Sequence, residues 1–204
     1  MSLRLTLLCT ALVGAGLTAP AVAKPVIGEP APAFALGGAD GRTHALADYH
    51  GKVVVLEWNN PQCPFVKKHY GAGNLPKQQA DAVSGGAVWL TINSAAPGKQ
   101  GELDAATAKS WIADTRAMPS AYLFDPTGSA GHAYGAKTTP HLYVIDAAGV
   151  LRYAGGIDSI ASADVEDIAK ATQYVPQVLG ELAAGKTVSV TTSEPYGCSV
   201  KYGG

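Results

Sequence analysis

The sequence predicts an α/β domain with a central mixed β-sheet and helices on both faces. Short apolar runs that suit buried strands alternate with stretches of helical character, as in layered α/β proteins. Residues 141–146 and 150–154 are joined by a three-residue turn, which predicts a hairpin and hence antiparallel pairing. The chain has 204 residues, of which 47% are apolar, and this is enough to bury one sizeable core.

Each element follows from a local pattern. The continuous run at residues 53–58 (VVVLEW) is typical of a buried strand. A helix is predicted to begin near Cys63, to be interrupted by Gly71 and Gly73, and to resume until about Val83. The other predicted strands are residues 87–93, 121–125, 141–146 and 150–154. The other predicted helices are residues 103–116 and 163–184, the last with Pro176 as a potential break.

The first 23 residues have the pattern of a secretory signal peptide. Arg4 and the amino terminus give a positive start, an apolar run covers residues 5–17, and residues 21–23 (AVA) form a small-x-small cleavage pattern. The apolar run is too short to span a bilayer. We therefore expect cleavage after Ala23, a periplasmic or secreted protein, and no membrane association once the signal is removed.

This division leaves three segments. A signal peptide at 1–23 precedes one domain at 24–186, which opens with an extended arm and is followed by a tail at 187–204 that carries Cys198. The formal net charge is −1, and basic and acidic side chains are interspersed. Because no basic stripe is present, a nucleic-acid partner is not expected.

The cysteines provide the main chemical signal. Signal cleavage would remove Cys9 and leave Cys63 and Cys198, an even pair in a compartment that permits disulfides. Two cysteines are too few for a disulfide scaffold. They suffice for one structural disulfide or for one redox pair.

Cys63 falls in a polar turn between a buried strand and a helix. Pro64 follows in the first helical turn, where a missing N–H is harmless. The unpaired N–H groups at a helix start, together with the helix dipole, stabilise a thiolate, and the thiolate is the nucleophile. Free cysteines are more often small buried apolar residues, but this placement favours a reactive thiol.

A family resemblance rests on residues 58–70 (WNNPQCPFVKKHY) and on Thr139-Pro140 before HLYVID. These segments resemble the thioredoxin-like superfamily and, within it, the peroxiredoxin-like redoxins of the AhpC/TSA type. The resemblance covers roughly residues 25–185 and implies a thioredoxin-like fold. It also implies a cis bond before Pro140 beside the reactive sulfur, with the Thr139 backbone binding an extended substrate. The other residues expected to contact substrate are Asn60, Pro64 and Trp58.

The sequence departs from both standard mechanisms of such proteins. Thioredoxins carry a second cysteine three residues after the first, where this chain has Val66, so a mixed disulfide or sulfenic acid must be resolved elsewhere. Cysteine peroxidases place Thr or Ser where this chain has Asn60, and an arginine where it has Pro140. Arg116 and Arg152 are the remaining candidates for that arginine.

Cys198 is the candidate resolving cysteine. It lies twelve positions after Lys186, which allows a reach of up to ~40 Å in an extended tail. Three alternatives remain open at this point. Cys198 resolves the chemistry of Cys63, forms a permanent disulfide with it, or stays unpaired or bound to a partner.

The predicted function is that of an exported thiol-disulfide oxidoreductase of the redoxin type. Cys63 is the nucleophile, the substrate is a protein or small-molecule disulfide or a peroxide, and an external thiol donates electrons. The alternatives are a peroxiredoxin-like cysteine peroxidase with an antioxidant role, and a non-enzymatic binding module. No cofactor is expected, and no metal, because no histidine lies at metal-ligand spacing from a cysteine motif. We expect the side chain of Glu57, a candidate proton acceptor, to lie at a sheet edge in water.

Overall fold

A seven-stranded mixed sheet forms the centre of the molecule. The computed structural model describes residues 25–203, so the predicted signal peptide at 1–23 lies outside the described residues. The main-sheet strands are β1 (Ala35–Gly38), β2 (Thr43–Ala45), β3 (Val54–Trp58), β4 (Val88–Asn93), β5 (Ala121–Phe124), β7 (His141–Ile145) and β8 (Leu151–Gly155). A second, two-stranded sheet consists of β6 (Thr138–Thr139) and β9 (Cys198–Ser199).

The strand order of the main sheet is β2-β1-β5-β4-β3-β7-β8. Strands β3, β4 and β5 are parallel, whereas β7 pairs antiparallel with both β3 and β8. Every residue of β3 and β4 is buried, as their continuous apolar runs predict. The predicted mixed sheet and the hairpin at its edge are therefore confirmed.

Helices cover both faces of this sheet. The helices are α1 (Pro64–Gly71), α2 (Asn74–Ser84), α3 (Ala105–Thr115), α4 (Ser129–Tyr134) and α5 (Tyr174–Ala183). Side chains of α1, α2 and α5 pack in one hydrophobic cluster with Val55 and Trp89, and side chains of α4 pack in another with Leu56 and Leu90. Within the described residues, no helix is both long and apolar enough to cross a membrane.

The predicted helix over residues 163–184 is wrong in its first half. Only Val165–Asp167 forms a short 3-10 helix there, and α5 begins at Tyr174. Side-chain oxygens compete with helical hydrogen bonding in this stretch, since Asp164 accepts from the backbone N–H of Glu166 and Ser159 accepts from that of Thr172. Pro176 does not break α5, because it lies in the first turn.

The C-terminal tail, which has no periodicity in sequence, crosses the surface of the domain in a defined path. Thr191 and Ser193 hydrogen-bond to the backbone of Ala154 in β8. The tail then pairs with β6 through β9, and the carbonyl of Lys201 accepts from the N–H of Ala96. We call residues 191–203 the strap.

Candidate active site

Cys63 lies between the end of β3 and the start of α1. Its backbone N–H donates to the carbonyl of Asn60 at 2.9 Å, and its own carbonyl accepts from Lys67 at 2.9 Å. Cys63 is thus the N-cap residue of α1, with Pro64 at the first helical position. The helix therefore starts where the sequence predicts.

The sulfur of Cys63 contacts the segment before β7. The Cys63 thiol donates a hydrogen bond to the carbonyl oxygen of Thr139 at 3.1 Å. The bond between Thr139 and Pro140 is cis, and both residues are buried. The structure therefore brings together three residues that the sequence analysis selected from positions far apart in the chain.

Cys198 reaches the same place through the strap. Strand β9 pairs antiparallel with β6, and this register sets Cys198 directly opposite Thr139. Both cysteines are free thiols in the structure. The hydroxyl of Thr139 donates to the carbonyl of Cys198 at 3.4 Å, and Cys198 packs against the hydrophobic cluster that contains Cys63.

The two thiols are electrostatically unequal. Burial raises the pKa of the Cys63 thiol, but hydrogen bonds from Cys198 and from the backbone N–H of Val66 outweigh burial and hold that pKa below its ordinary value. Burial and the hydrogen bond to Cys63 raise the pKa of Cys198 to about 11. Cys63 is therefore the sulfur that ionises first.

The strap covers Cys63. Cys63 is 0% exposed, although its neighbours Gln62 and Pro64 are exposed. The backbone of Gly197 lies so close to the Thr139 carbonyl that an added Cβ would collide with it. Cys198 itself is partly exposed. The thiol that the sequence predicts to be reactive is therefore enclosed, and of the two cysteines only Cys198 is partly exposed.

Asn60 stabilises the turn before Cys63, whereas Trp58 packs on the other face of the sheet. The side chain of Asn60 donates to the carbonyl of Gln100 at 3.2 Å and accepts from the N–H of Gln62 at 2.9 Å, which fixes the turn before Cys63. Trp58 is fully buried in the cluster on the opposite sheet face, where its indole N–H donates to Ser94 at 3.0 Å. Its position as the last residue of β3 turns it away from α1, because successive side chains of a strand alternate between faces. The expected substrate contact is therefore corrected to a packing role for Trp58.

Glu57 lies in the core and not at a sheet edge in water, so that expectation is wrong. Its carboxylate is 0% exposed and accepts hydrogen bonds from Asn59, Tyr70, Gln79, Trp89 and Thr91. Burial raises the pKa of this carboxyl group. The donors are scattered from residue 59 to residue 91, and no local pattern in the sequence indicates them.

The two candidate arginines lie in other parts of the fold. Arg152 pairs with Asp146 at 2.6 Å, and Arg116 is the C-cap residue of α3, so neither candidate arginine hydrogen-bonds to Cys63. In the part of the chain that the structure describes, no three His, Cys, Asp or Glu side chains are grouped to hold a metal ion.

The fold and the pairing of Cys63 with the cis-proline segment define a thioredoxin-like thiol protein. Residues 27–154 match the AhpC/TSA family, and the chain belongs to that family. Among curated protein sequences, none matches this chain.

Solved structures support the same fold. The chain is similar to a conserved protein from Geobacillus kaustophilus, with 26% identity and a TM-score of 0.74 over 87% of this chain and 93% of the other. It is also similar to a hypothetical protein from Sinorhizobium meliloti 1021, with 24% identity and a TM-score of 0.73 over 89% and 97% of the two chains. A protein assigned as thiol:disulfide interchange protein DsbE from Chlorobium tepidum has 26% identity and a TM-score of 0.51 over 63% and 83%.

Proposed function

We propose that this chain is an exported thiol-disulfide oxidoreductase of the redoxin type, in which Cys63 is the nucleophile and Cys198 resolves the mixed disulfide. The observation that carries the proposal is the β6–β9 pairing, which sets Cys198 opposite the residue whose carbonyl binds the Cys63 thiol. Cys198 then takes the role of the second cysteine of thioredoxins, whose position in α1 is occupied here by Val66.

The proposed reaction transfers two electrons and two protons to the substrate. The Cys63 thiolate attacks one sulfur of a substrate disulfide, forms a mixed disulfide, and releases the other sulfur as a thiolate that takes up a proton. Cys198, once deprotonated, attacks the Cys63 sulfur and releases the second substrate thiol. The products are a reduced substrate and a Cys63–Cys198 disulfide, which an external thiol donor reduces again.

Export to the periplasm or the medium is part of the proposal. The N-terminal 23 residues have the pattern of a signal peptide.

The similarity to the Chlorobium tepidum protein supports thiol:disulfide interchange as the class of activity.

The experiment is a disulfide-reductase assay with a small aromatic disulfide and a thiol donor. We expect Cys63→Ser to abolish turnover. In the same assay without the thiol donor, we expect Cys198→Ser to make one stoichiometric attack and to stop at a mixed disulfide on Cys63. Tyr202→Phe serves as the matched control outside the thiol pair. A wild-type rate equal to that of Cys63→Ser contradicts the proposal, and if both rates equal the uncatalysed rate, the binding-module alternative is favoured.

A cysteine peroxidase is the second candidate, and the AhpC/TSA match favours it. In that reaction the Cys63 thiolate attacks a peroxide, releases an alcohol or water and becomes a sulfenic acid, which condenses with Cys198 and releases water. Asn60 and Pro140 stand where such peroxidases carry Thr or Ser and an arginine. Peroxide consumption faster than disulfide reduction at equal concentrations would favour this candidate.

A further inference from the structure

A buried polar cluster outside the thiol pair joins the strap to the domain. The hydroxyl of Tyr196 donates to Asp158 Oδ1 at 2.5 Å and lies 3.3 Å from His69 Nε2. Asp158 is 2% exposed and His69 0% exposed. Tyr196 belongs to the strap, whereas His69 is on α1 and Asp158 follows β8, so the cluster connects three separate parts of the chain.

The carboxylate of Asp158 depends on Tyr196. Its Oδ1 accepts from Tyr196 and from the backbone N–H of Ile160 at 3.1 Å. Its Oδ2 is buried without a hydrogen-bond partner and lies 3.8 Å from His69 Nε2. A buried carboxylate is costly unless it is hydrogen-bonded. Undocking of Tyr196 would leave Asp158 with one donor, so this carboxylate favours the docked strap.

Tyr196 stands two residues before Cys198 and fixes the start of β9. Its ring packs edge-on against Phe65 of α1 with centroids 5.6 Å apart. Gly197 follows with a φ of 134°, and β9 begins at the next residue. Cys63 caps α1, and His69, which contacts Tyr196, lies in the last turn of the same helix. One helix therefore carries both the reactive thiol and a contact of the strap.

We propose that Tyr196 is a positioning residue, which holds Cys198 against Cys63 and keeps Cys63 covered through its buried contacts with Asp158 and His69. The catalytic consequence rests on the proposed function above, since it concerns how fast Cys198 resolves a mixed disulfide. The covering of Cys63 does not rest on it. Opening of this cluster is then the step that admits a substrate to Cys63.

The substitution that isolates the hydroxyl is Tyr196→Phe, which keeps the ring on Phe65. The matched control is Tyr202→Phe, since Tyr202 is another strap tyrosine and its hydroxyl donates to the carbonyl of Ala136 at 2.8 Å. Asp158→Asn is the conservative partner variant, because its amide oxygen still accepts from Tyr196. Circular dichroism spectra and urea unfolding of each full-length variant establish that it is folded.

Two measurements read out positioning. The first is alkylation of Cys63 by iodoacetamide in a Cys198→Ser background, where no redox cycle operates. We expect Tyr196→Phe to accelerate it at least about tenfold, in line with loss of a hydrogen bond to a charged group. The second is the equilibrium between the Cys63–Cys198 disulfide and glutathione, where we expect a fall in effective concentration of similar size. Asp158→Asn should have a smaller effect than Tyr196→Phe on both.

Each outcome decides the proposal. Unchanged alkylation and an unchanged glutathione equilibrium in folded Tyr196→Phe would overturn it, and so would an equal effect of Tyr202→Phe, because that would indicate general loosening of the strap. Failure of the proposed function is separate. Faster alkylation of Cys63 together with an inactive wild type would leave the anchoring role in place and remove only the redox role.

Discussion

Thr139 and Cys198 face each other as register partners of a two-stranded antiparallel sheet, and the Thr139 carbonyl also accepts the hydrogen bond of the Cys63 thiol. One residue therefore contacts both cysteines. An edge that could pair with an extended substrate is instead paired with the chain's own C-terminal segment. This relationship places the strap beside Cys63, which is 0% exposed.

Substitution of Gly197 tests the close approach of the strap. The φ of 134° suits glycine, and an added Cβ would collide with the Thr139 carbonyl. We expect Gly197→Ala to destabilise the protein by more than about 1 kcal/mol and to expose Cys63 to iodoacetamide. Urea unfolding and alkylation rates measure the two effects.

Gly185→Ala provides the matched control for Gly197→Ala. Gly185 also has a positive φ, of 64°, but no heavy atom lies within 4 Å of a Cβ placed there. This variant should lose some stability through backbone strain and leave the reactivity of Cys63 unchanged. Equal Cys63 reactivity in Gly197→Ala and the wild type would refute the idea that the strap covers this thiol.

Glu57→Gln tests the buried carboxylate of the core. The new amide nitrogen cannot accept a hydrogen bond, so at least one of the five donors around this position loses its partner. We expect a loss of about 1–3 kcal/mol in the free energy of unfolding. Glu29→Gln, at an exposed site, should change it little. A Glu57→Gln protein as stable as the wild type would mean that these hydrogen bonds contribute nothing net.

The difference in stability between the wild type and Glu57→Gln should depend on pH. Because burial raises the folded-state pKa of Glu57, its contribution is fully present below the unfolded-state pKa and is lost as pH rises through the folded-state pKa. The difference in stability between the wild type and Glu57→Gln should therefore be larger at pH 4.5 than at pH 8. A difference that grows with rising pH would show that the pKa is not raised.

Two buried histidines should make the folded protein less stable in acid. Burial lowers the pKa of His69 to about 4 and that of His141 to about 3. The unfolded chain takes up protons below pH ~6.5 while the folded protein does not, so this stability is present above pH ~6.5 and is lost as pH falls. As pH falls below ~6.5, each histidine should lower the free energy of unfolding by up to about 1.4 kcal/mol per pH unit.

Urea unfolding at pH 7 and pH 5 measures the slope due to the histidines. His141→Gln should flatten it, whereas His132→Gln, at an exposed site, should leave it unchanged. Equal pH slopes in the wild type and His141→Gln would disprove the assignment, because the contribution of Glu57 is common to both proteins.

The sequence predicts the fold where local pattern and tertiary environment agree. The buried run at β3 and the Pro64 helix start both stand as predicted, because continuous apolar β-branched residues and a proline at the first helical position each have one favoured environment. The stretch before α5 differs from the predicted helix, since the side chains of Ser159 and Asp164 accept hydrogen bonds from nearby backbone N–H groups. Apolar content alone does not reveal that competition.

The sequence predicts the two cysteines of the site but not the strap that covers Cys63. Cys63 and Pro140 carry signatures in their immediate neighbours. The contact between Cys198 and Thr139 depends on the path of the strap, which is set by pairings such as that of Thr191 with Ala154, and these follow from tertiary packing. Only Tyr196-Gly197 before Cys198 was a usable signal, because a glycine next to a cysteine permits a close backbone approach.

The most direct test of a Cys63–Cys198 redox pair is disulfide mapping after oxidation. The reduced protein is treated with one equivalent of a small disulfide, quenched with acid, digested and examined by mass spectrometry. The account predicts one linked peptide pair, Cys63 with Cys198, that forms within the mixing period and disappears on addition of a thiol. Cys63 recovered as a lasting mixed disulfide while Cys198 remains a free thiol would contradict it.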